Sequence, residues 1–388
     1  MSKKLFIAVG LAVIFLIAGV YVYFVYFYGK ETIKTPQFPI REFPTQINLT
    51  DQKPPEQKEP AVAQEEKGVL RVLTEEPIIG GTLSREGNSV LYIARENGNI
   101  YRTSFSGDDR ARVSNQTLIG LYYAHWSPDK TKVFLAHERN DEIKKIILDL
   151  TGENPTSSII PSTVRSGTWS SDGKIFYSLE EITDGVRLVS ADGNNKNGKE
   201  RLKIPLGDLN ILPYPNLSIL FTSAPSGIVN GPLFKFNIKN GAFEELSSGF
   251  GMIAVPSPKN TKLLVSKTTS SGTLQGLRIV NTENGQEEFV AVITLAEKCA
   301  WVDEYVFFCG VPKEKLSKVV LPDEYYKGLF ETNDLLIRVD TRDASITNYS
   351  AEGFDRGIDI QDMFTDTEGA NVFFRDQKTN LLYRFILP

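Results

Sequence analysis

A short unit recurs through the chain from residue 68 onward, and this repeat restricts the possible folds more than any other feature of the sequence. Each copy reads as an apolar strand, a Ser-x-Asp/Gly-type turn and a second strong strand, as in YAHWSPDKTKVFLAH and GTWSSDGKIFYSL. The turn serines Ser84, Ser127, Ser170 and Ser257 are 43, 43 and 87 residues apart, so the last interval holds two periods. Further alternating strands, such as KKIILDL and LLIRVDT, lie between the copies.

This period predicts the blades of a β-propeller. Propeller blades of four antiparallel strands repeat every roughly 40–45 residues, and stacked blades cover the faces that one sheet alone leaves open. Seven units can be counted, around residues 80–94, 123–137, 167–179, 212–223, 254–266, 299–309 and 362–374. We expect aromatic residues of the second strands to fill the layers between units: Tyr92, Phe134, Phe176, Phe221, Phe307 and Phe373.

The two ends of the repeat predict how the ring closes. The seventh unit supplies only three strands, and an unassigned strand, GVLRVLTE at residues 68–75, precedes the first unit. Pairing the two would remove an exposed sheet edge. The predicted fold is therefore all-β, a seven-bladed β-propeller of four-stranded antiparallel blades whose N-terminal strand closes the last blade. Six or eight blades follow if the weak fourth or the long sixth unit is counted differently, and a pair of β-sandwiches is the alternative fold.

The first 67 residues predict a transmembrane helix and a tether. Residues 5–28 contain no charge, and about 20 apolar residues span a bilayer core. Lys3 and Lys4 predict a cytoplasmic N-terminus, while a cleaved signal peptide is the alternative. Prolines in residues 30–67 predict an extended, disordered spacer. The predicted domains are the tail and signal-anchor at 1–29, the tether at 30–67 and the propeller at 68–388, in a single-pass protein of the cytoplasmic membrane with its propeller in the periplasm or on the cell exterior.

Two turns carry a resemblance to a known family. Trp126-Ser-Pro-Asp129 and Trp169-Ser-Ser-Asp-Gly173 resemble the repeats of TolB-type, WD40-like (PD40) propellers. The sixth unit, with its Cys-x-Trp strand, looks like membrane-anchored propellers of poorly characterised bacteria. The resemblance implies a propeller outside the cytoplasmic membrane. It carries over no catalytic residue, and the extra α/β domain of TolB is replaced here by the anchor and tether.

The two cysteines of the chain, Cys299 and Cys309, flank the turn of the sixth unit in CAWVDEYVFFC. Pairing Trp301 with Phe307 places them directly opposite each other, where Cα atoms about 4.5–5.5 Å apart permit a disulfide. The predicted compartment is oxidising, which favours this bond. A zinc or redox site and free thiols are the alternatives, but zinc needs two more ligands and the two histidines are more than 160 residues upstream.

Composition and motifs offer little catalytic chemistry. The net charge of −5 gives no footprint for nucleic acid. His125 is expected on an innermost strand, and Asp359 and Asp362 at the mouth of the central channel, where paired carboxylates would bind a cation. A polar channel lining is the competing interpretation. No nucleophile motif accompanies either His125 or His137. We therefore predict that the chain is not an enzyme and has no cofactor.

A segment of unit six, VPKEKLSKVVLPDEYYKGLFE at residues 311–331 (the insertion), separates the second and third strands of that unit. Long loops in compact domains are commonly functional, and aromatic residues among charges are typical of contact surfaces. The predicted contact residues are Lys313, Lys315, Lys318, Asp323, Tyr325, Tyr326 and Phe330. The alternative is that these side chains only cover the blade edge and the disulfide.

These features together predict a membrane-tethered recognition scaffold of the cell envelope that binds an envelope or surface protein. The alternative is an envelope receptor for a small ligand or cation, or a hydrolase-like enzyme, that uses the channel mouth.

Overall fold

The computed structural model describes residues 68–212, 218–316, 318–349 and 354–388. These residues fall in one compact unit, Gln64–Pro388. The predicted signal-anchor and the tether lie outside the described residues.

The described residues form antiparallel sheets whose strands follow one another in the chain, as a repeat of hairpins requires. Unit one contains β2 (Ile78–Leu83), β3 (Val90–Ala94), β4 (Ile100–Thr103) and β5 (Ala111–Arg112). Unit two contains β6 (Leu121–Trp126), β7 (Lys132–Arg139), β8 (Glu142–Asp149) and β9 (Thr156–Ile160). Unit three contains β10 (Val164–Trp169), β11 (Ile175–Ile182), β12 (Gly185–Asp192) and β13 (Lys199–Ile204).

Units four and five share one seven-stranded sheet. Its strands are β14 (Leu209–Leu212), β15 (Ser218–Ser223), β16 (Asn230–Asn237), β17 (Phe243–Pro256), β18 (Lys262–Thr268), β19 (Leu274–Asn281) and β20 (Glu287–Val290). The 14-residue β17 pairs with β16 through its first half and with β18 through its second half, and Phe250 takes part in both pairings. One strand therefore ends unit four and begins unit five.

Unit six begins after a 3-10 turn, Ala296–Lys298, and unit seven after another, Phe354–Arg356. Unit six contains β21 (Cys299–Trp301), β22 (Val306–Pro312), the one-turn helix α1 (Asp323–Tyr326), β23 (Asp334–Asp340) and β24 (Ser345–Tyr349). Unit seven contains β25 (Ile360–Thr365), β26 (Asn371–Asp376) and β27 (Leu382–Ile386), and its fourth strand is β1 (Leu70–Val72).

The predicted pairing of the first and last strands is present. Strand β1 runs antiparallel to β27 with Leu70 opposite Phe385 and Val72 opposite Tyr383. The Gly68 amide also donates to the Ile386 carbonyl at 2.8 Å. These bonds join residues more than three hundred positions apart, so the edge of unit seven is covered by the strand that precedes unit one.

The predicted localisation requires a correction. Within the described ranges no helix is long and apolar enough to cross a bilayer. The apolar residues 5–28, on which the prediction of a transmembrane signal-anchor was based, lie outside those ranges.

The core lies between neighbouring units, as the aromatic pattern predicts. All six second-strand aromatic residues named above are at most 3% exposed. The rings of Phe134 in unit two and Phe176 in unit three meet edge to face at 5.6 Å. Tyr92 of unit one lies in the same buried cluster as Phe373 of unit seven. Each sheet thus buries the face that its neighbour would otherwise leave exposed.

The Ser-x-Asp turns have a specific hydrogen-bond pattern. In unit two the Ser127 hydroxyl donates to the Asp129 carboxylate at 2.6 Å and accepts from the Lys132 amide at 2.9 Å. In unit three the Ser170 hydroxyl donates to Asp172 at 2.6 Å. The side chains therefore satisfy the turn backbone, which explains why this motif marks the point where each chain segment reverses.

The disulfide prediction is confirmed. Cys299 and Cys309 are opposite each other in the β21–β22 ladder, as are Trp301 and Phe307. The cysteines are bonded to each other, and their Cα atoms are 4.1 Å apart, slightly closer than expected. Both side chains are buried in the core shared with unit five. The bond therefore closes the hairpin from which the insertion emerges.

Candidate functional site

The insertion crosses from unit six onto the loops of units four and five. The Asp323 carboxylate, at the start of α1, accepts hydrogen bonds from the Ser226 hydroxyl at 2.9 Å and the Gly227 amide at 2.6 Å. The Leu321 amide donates to the Gly272 carbonyl at 3.0 Å. Leu321 is fully buried beside Leu274. The C-terminal half of the insertion, which belongs to unit six, is therefore attached to units four and five.

Tyr325 and Tyr326 are neighbours in the chain but have different environments. Tyr325 is buried, and its hydroxyl donates to Asp359 Oδ1 and accepts from Gln361 Nε2, both at 2.6 Å. Burial, followed by the Asp359 charge, raises the pKa of Tyr325 far above its ordinary value. Tyr326 is half exposed and donates to Glu297 at 2.8 Å. Tyr325 is therefore not the surface contact residue that the sequence predicts, whereas Tyr326 is accessible.

A buried charge cluster lies beneath α1. Lys298 Nζ donates to Asp334 Oδ2 at 2.7 Å, to Asp359 Oδ1 at 2.6 Å and to the Thr332 hydroxyl at 2.8 Å. The Lys298 side chain is 1% exposed and both carboxylates are 0% exposed. Because uncompensated charges are costly in such a site, the three groups depend on one another.

The two carboxylates of this cluster differ electrostatically. Burial raises the pKa of Asp334, although the Lys298 charge opposes this effect. Burial also acts to raise the pKa of Asp359, but the Lys298 charge and hydrogen bonds from Lys298, Tyr325 and the Thr332 amide outweigh it, so this pKa is lowered. Asp334 Oδ1 has no hydrogen-bond partner in the described part of the chain. Asp359 therefore holds the negative charge more readily than Asp334.

The proposed channel-mouth carboxylates are not paired with each other. Asp359 is buried against Lys298, whereas Asp362 is exposed and binds Arg375 Nε at 2.7 Å. Among the described residues no group of three or more His, Cys, Asp or Glu side chains is placed to hold a metal ion. The structure thus does not bring these two aspartates into a common site.

His125 lies between units two and three. Its ring stacks on Trp169 at a centroid distance of 5.8 Å, and Nε2 is 3.3 Å from the Thr168 hydroxyl. Burial, with a smaller effect of the Lys130 charge, lowers the pKa of His125 to about 4. His137 is buried on β7. The His125 ring therefore packs in the layer between two units, with the Thr168 hydroxyl as its hydrogen-bond partner.

An open pocket lies between the N-terminal half of the insertion and the edges of units five and six. Its volume is about 590 Å³. Apolar side chains form most of its wall: Leu274, Val292, Val311, Leu316, Ile337 and Ile346. Lys313, Lys315 and Lys318 stand at the wall and are exposed. Lys313 donates to the Phe354 carbonyl at 3.1 Å, while Lys315 and Lys318 make no ion pair with any described residue.

The predicted insertion residues therefore divide into two groups. Asp323 and Tyr325 attach the insertion to the propeller units, and the half-buried Phe330 packs near Tyr325 with ring centroids 5.7 Å apart. The three lysines and Tyr326 remain accessible. Sequence reasoning missed Lys298 and Asp334. The available signal was a lone lysine, in LAEKCAWV, beside an otherwise apolar strand.

No protein-family model and no curated protein sequence matches the chain. Its structure is similar to that of an oligogalacturonate lyase from Vibrio parahaemolyticus, with a TM-score of 0.58 and 13% identity over 82% of this chain and 93% of that one. It is also similar to the Cps50 (Swd1) β-propeller domain of Myceliophteria thermophila, with a TM-score of 0.55 and 11% identity over 82% and 100% of the two chains.

TolB from Acinetobacter baumannii is a more distant structure, with a TM-score of 0.46 and 14% identity over 70% of this chain and 63% of that one. The class of the protein follows from the first two similarities: it is a β-propeller. This confirms the fold implied by the resemblance to TolB-type, WD40-like repeats. The similarities do not bear on membrane anchoring.

The similarity to the lyase corrects the prediction that the chain is not an enzyme. That neighbour is named for an enzymatic activity and has the same fold. A propeller of this kind is therefore compatible with catalysis, and the fold gives no reason to exclude it.

Proposed function

We propose that this β-propeller is a recognition protein that binds a partner protein through the insertion and the pocket beside it. The observation that carries the proposal is the combination of an apolar pocket of about 590 Å³ with Lys315 and Lys318, which stand at its wall without an ion pair to any described residue. Apolar pockets with a few polar groups at the edge are the usual form of binding sites.

The chemistry of the pocket suggests the kind of segment that it binds. Ile293 and Ile346 extend the apolar surface and are 60% and 48% exposed. A partner segment could place an apolar side chain in the pocket and an Asp or Glu side chain beside the lysines. Such a segment would complement both the apolar wall and the lysine charges. The proposed partner is therefore a protein segment with large apolar residues next to acidic ones.

We also propose that the propeller has seven blades. The support is the change of partner within β17, whose first half belongs to a four-stranded group with β14–β16 and whose second half belongs to one with β18–β20. Dividing that sheet at Phe250 gives two groups of four strands, and together with the five four-stranded sheets these make seven groups among the described residues. A medium-resolution experimental structure would test this count directly.

Charge reversal tests the recognition site. The full chain is used as bait in an extract of its source cells, beside the variant Lys315→Glu/Lys318→Glu and a control, Lys199→Glu/Lys239→Glu, which changes two exposed lysines on units three and four. We expect a protein that is retained by the wild type and the control but lost with the first variant. Equal retention by all three baits would contradict the proposal.

A second candidate function is binding of a small acidic ligand in the same pocket, which the pocket volume favours. This second function predicts that none of the baits retains a protein. In a screen of small acidic compounds, at least one should raise the melting temperature of the wild type but not that of the Lys315→Glu/Lys318→Glu variant.

A further inference from the structure

The buried cluster of Lys298, Asp334 and Asp359 has no part in the proposed recognition site. Its amine contacts both carboxylates at 2.6–2.7 Å, and none of the three side chains is more than 1% exposed. A simple ion pair needs only one carboxylate. Amide formation requires a buried amine beside two carboxyl groups: one that is protonated and can be attacked, and one that is charged and can accept a proton. The amine of Lys298 lies between two such groups, the less acidic Asp334 and the more acidic Asp359.

We propose that Lys298 and Asp334 become joined by an intramolecular amide bond, with Asp359 accepting the proton that the lysine must lose. The result is an isopeptide cross-link between the residue before β21 and the first residue of β23.

The reaction needs no co-reactant. The Lys298 ammonium gives one proton to the Asp359 carboxylate, and the neutral amine attacks Cγ of the protonated Asp334. The new bond joins Nζ to Cγ, the bond from Cγ to Oδ1 breaks, and Oδ1 leaves as water with the Asp334 proton and a second proton from the amine. One amide N–H remains on Nζ, Asp359 ends protonated, and no electrons are exchanged.

The contacts of Asp334 match these roles. Oδ2 accepts a hydrogen bond from the Ile360 backbone N–H at 2.8 Å, and this bond polarises the carboxyl group. The same N–H can donate to Oδ2 after it has become the oxygen of the new amide. Oδ1, the atom that leaves, has no partner among the described residues. Burial raises the pKa of Asp334 and so favours its protonated, electrophilic form.

The contacts of Asp359 match the role of proton acceptor. Its Oδ1 accepts from both Lys298 and Tyr325, and its Oδ2 accepts from the Thr332 amide at 2.9 Å. These donors hold the carboxylate charged and in position before the reaction. Afterwards the cluster contains no opposite charges, so the desolvation cost of a buried ion pair is removed.

The proposed bond would have a clear structural effect. Lys298 is adjacent to Cys299, and Asp334 lies beside the end of the insertion. Together with the Cys299–Cys309 disulfide, the amide would tie the start of unit six to both strands that flank the insertion.

Mass spectrometry of the full chain, purified in its folded form and then denatured and reduced, tests the bond. We expect a mass about 18 Da below that of the unlinked chain, the loss of one water. Trypsin should leave Lys298 uncut and release residues 279–313 joined to residues 328–338. Folding is checked by cooperative unfolding. A folded chain with the unlinked mass would overturn the proposal.

Matched variants test the assigned roles. Lys298→Arg keeps the charge but cannot form the link, so it should have the unlinked mass. Asp359→Asn should also remain unlinked, and complete linkage in this variant would overturn the role of Asp359. Lys132 and Asp149 are an internal control, since they lie 3.9 Å apart and are about 12–13% exposed. Trypsin should cut at Lys132 normally, and a link there would contradict the argument from burial.

Discussion

The Ser257 hydroxyl of unit five donates a hydrogen bond to Glu304 of unit six at 2.8 Å. The same carboxylate accepts from the Lys259 amide at 2.6 Å and from the Thr261 hydroxyl. In unit two the equivalent contacts come from Asp129 within the turn itself. Unit five has Lys259 at that position, so its turn is completed by a carboxylate from the next unit.

Replacing Glu304 with alanine should destabilise the protein by about 1–3 kcal/mol, because the buried Ser257 hydroxyl and the partly buried Lys259 amide lose their acceptor. Urea denaturation measures the change. The double variant Lys259→Asp/Glu304→Ala restores a carboxylate inside the turn and should recover part of the loss. Glu368→Ala, which changes an exposed residue of unit seven, is the control. Equal stability of Glu304→Ala and wild type would contradict the assigned role.

The local features of the fold could be predicted from sequence. The serine turns, the second-strand aromatics and the opposed cysteines depend on residues within a few positions of one another. Glu304 could be seen as an acidic residue in a turn, but its partners are more than forty positions away. The sequence around Glu304 does not show that the turn of unit five lacks a carboxylate of its own.

The candidate site was predictable only in part for the same reason. The insertion was recognisable by its length, but α1 is only four residues long, so no helical periodicity distinguished the buried Tyr325 from the exposed Tyr326. Asp334 and Asp359 are 36 and 61 positions from Lys298. The β21–β22–β23 sheet of unit six brings Lys298 and Asp334 together, and the packing of unit seven against unit six adds Asp359.

Replacing both cysteines with serine should lower the free energy of unfolding by about 2–4 kcal/mol, the usual contribution of a disulfide that closes a short loop. Thermal denaturation of the oxidised wild type and the Cys299→Ser/Cys309→Ser variant measures the effect. Alkylation of the denatured wild type without reductant should label no thiol. Two labelled thiols per chain would contradict the disulfide.

Replacing Tyr325 with phenylalanine should cost about 1–3 kcal/mol, because the hydroxyl is a donor to the buried Asp359 and an acceptor for Gln361. Tyr326→Phe removes an equivalent hydroxyl from a half-exposed ring, and we expect a smaller effect. Urea denaturation of the two variants provides the comparison. If Tyr326→Phe is the more destabilised, Tyr325 does not hold the insertion in place.

His125 should make stability depend on pH. Its pKa is lowered from 6.5 to about 4 in the folded state, so the unfolded chain binds more protons between these values. The free energy of unfolding should therefore fall as the pH decreases from about 6.5 toward 4, and should be little affected by this residue above pH 7. The variant His125→Gln lacks the titrating ring. Its stability, measured by denaturation at pH 7.5 and 5, should decline less than that of the wild type over the same interval. Parallel declines would show that the His125 pKa in the folded state is close to its ordinary value.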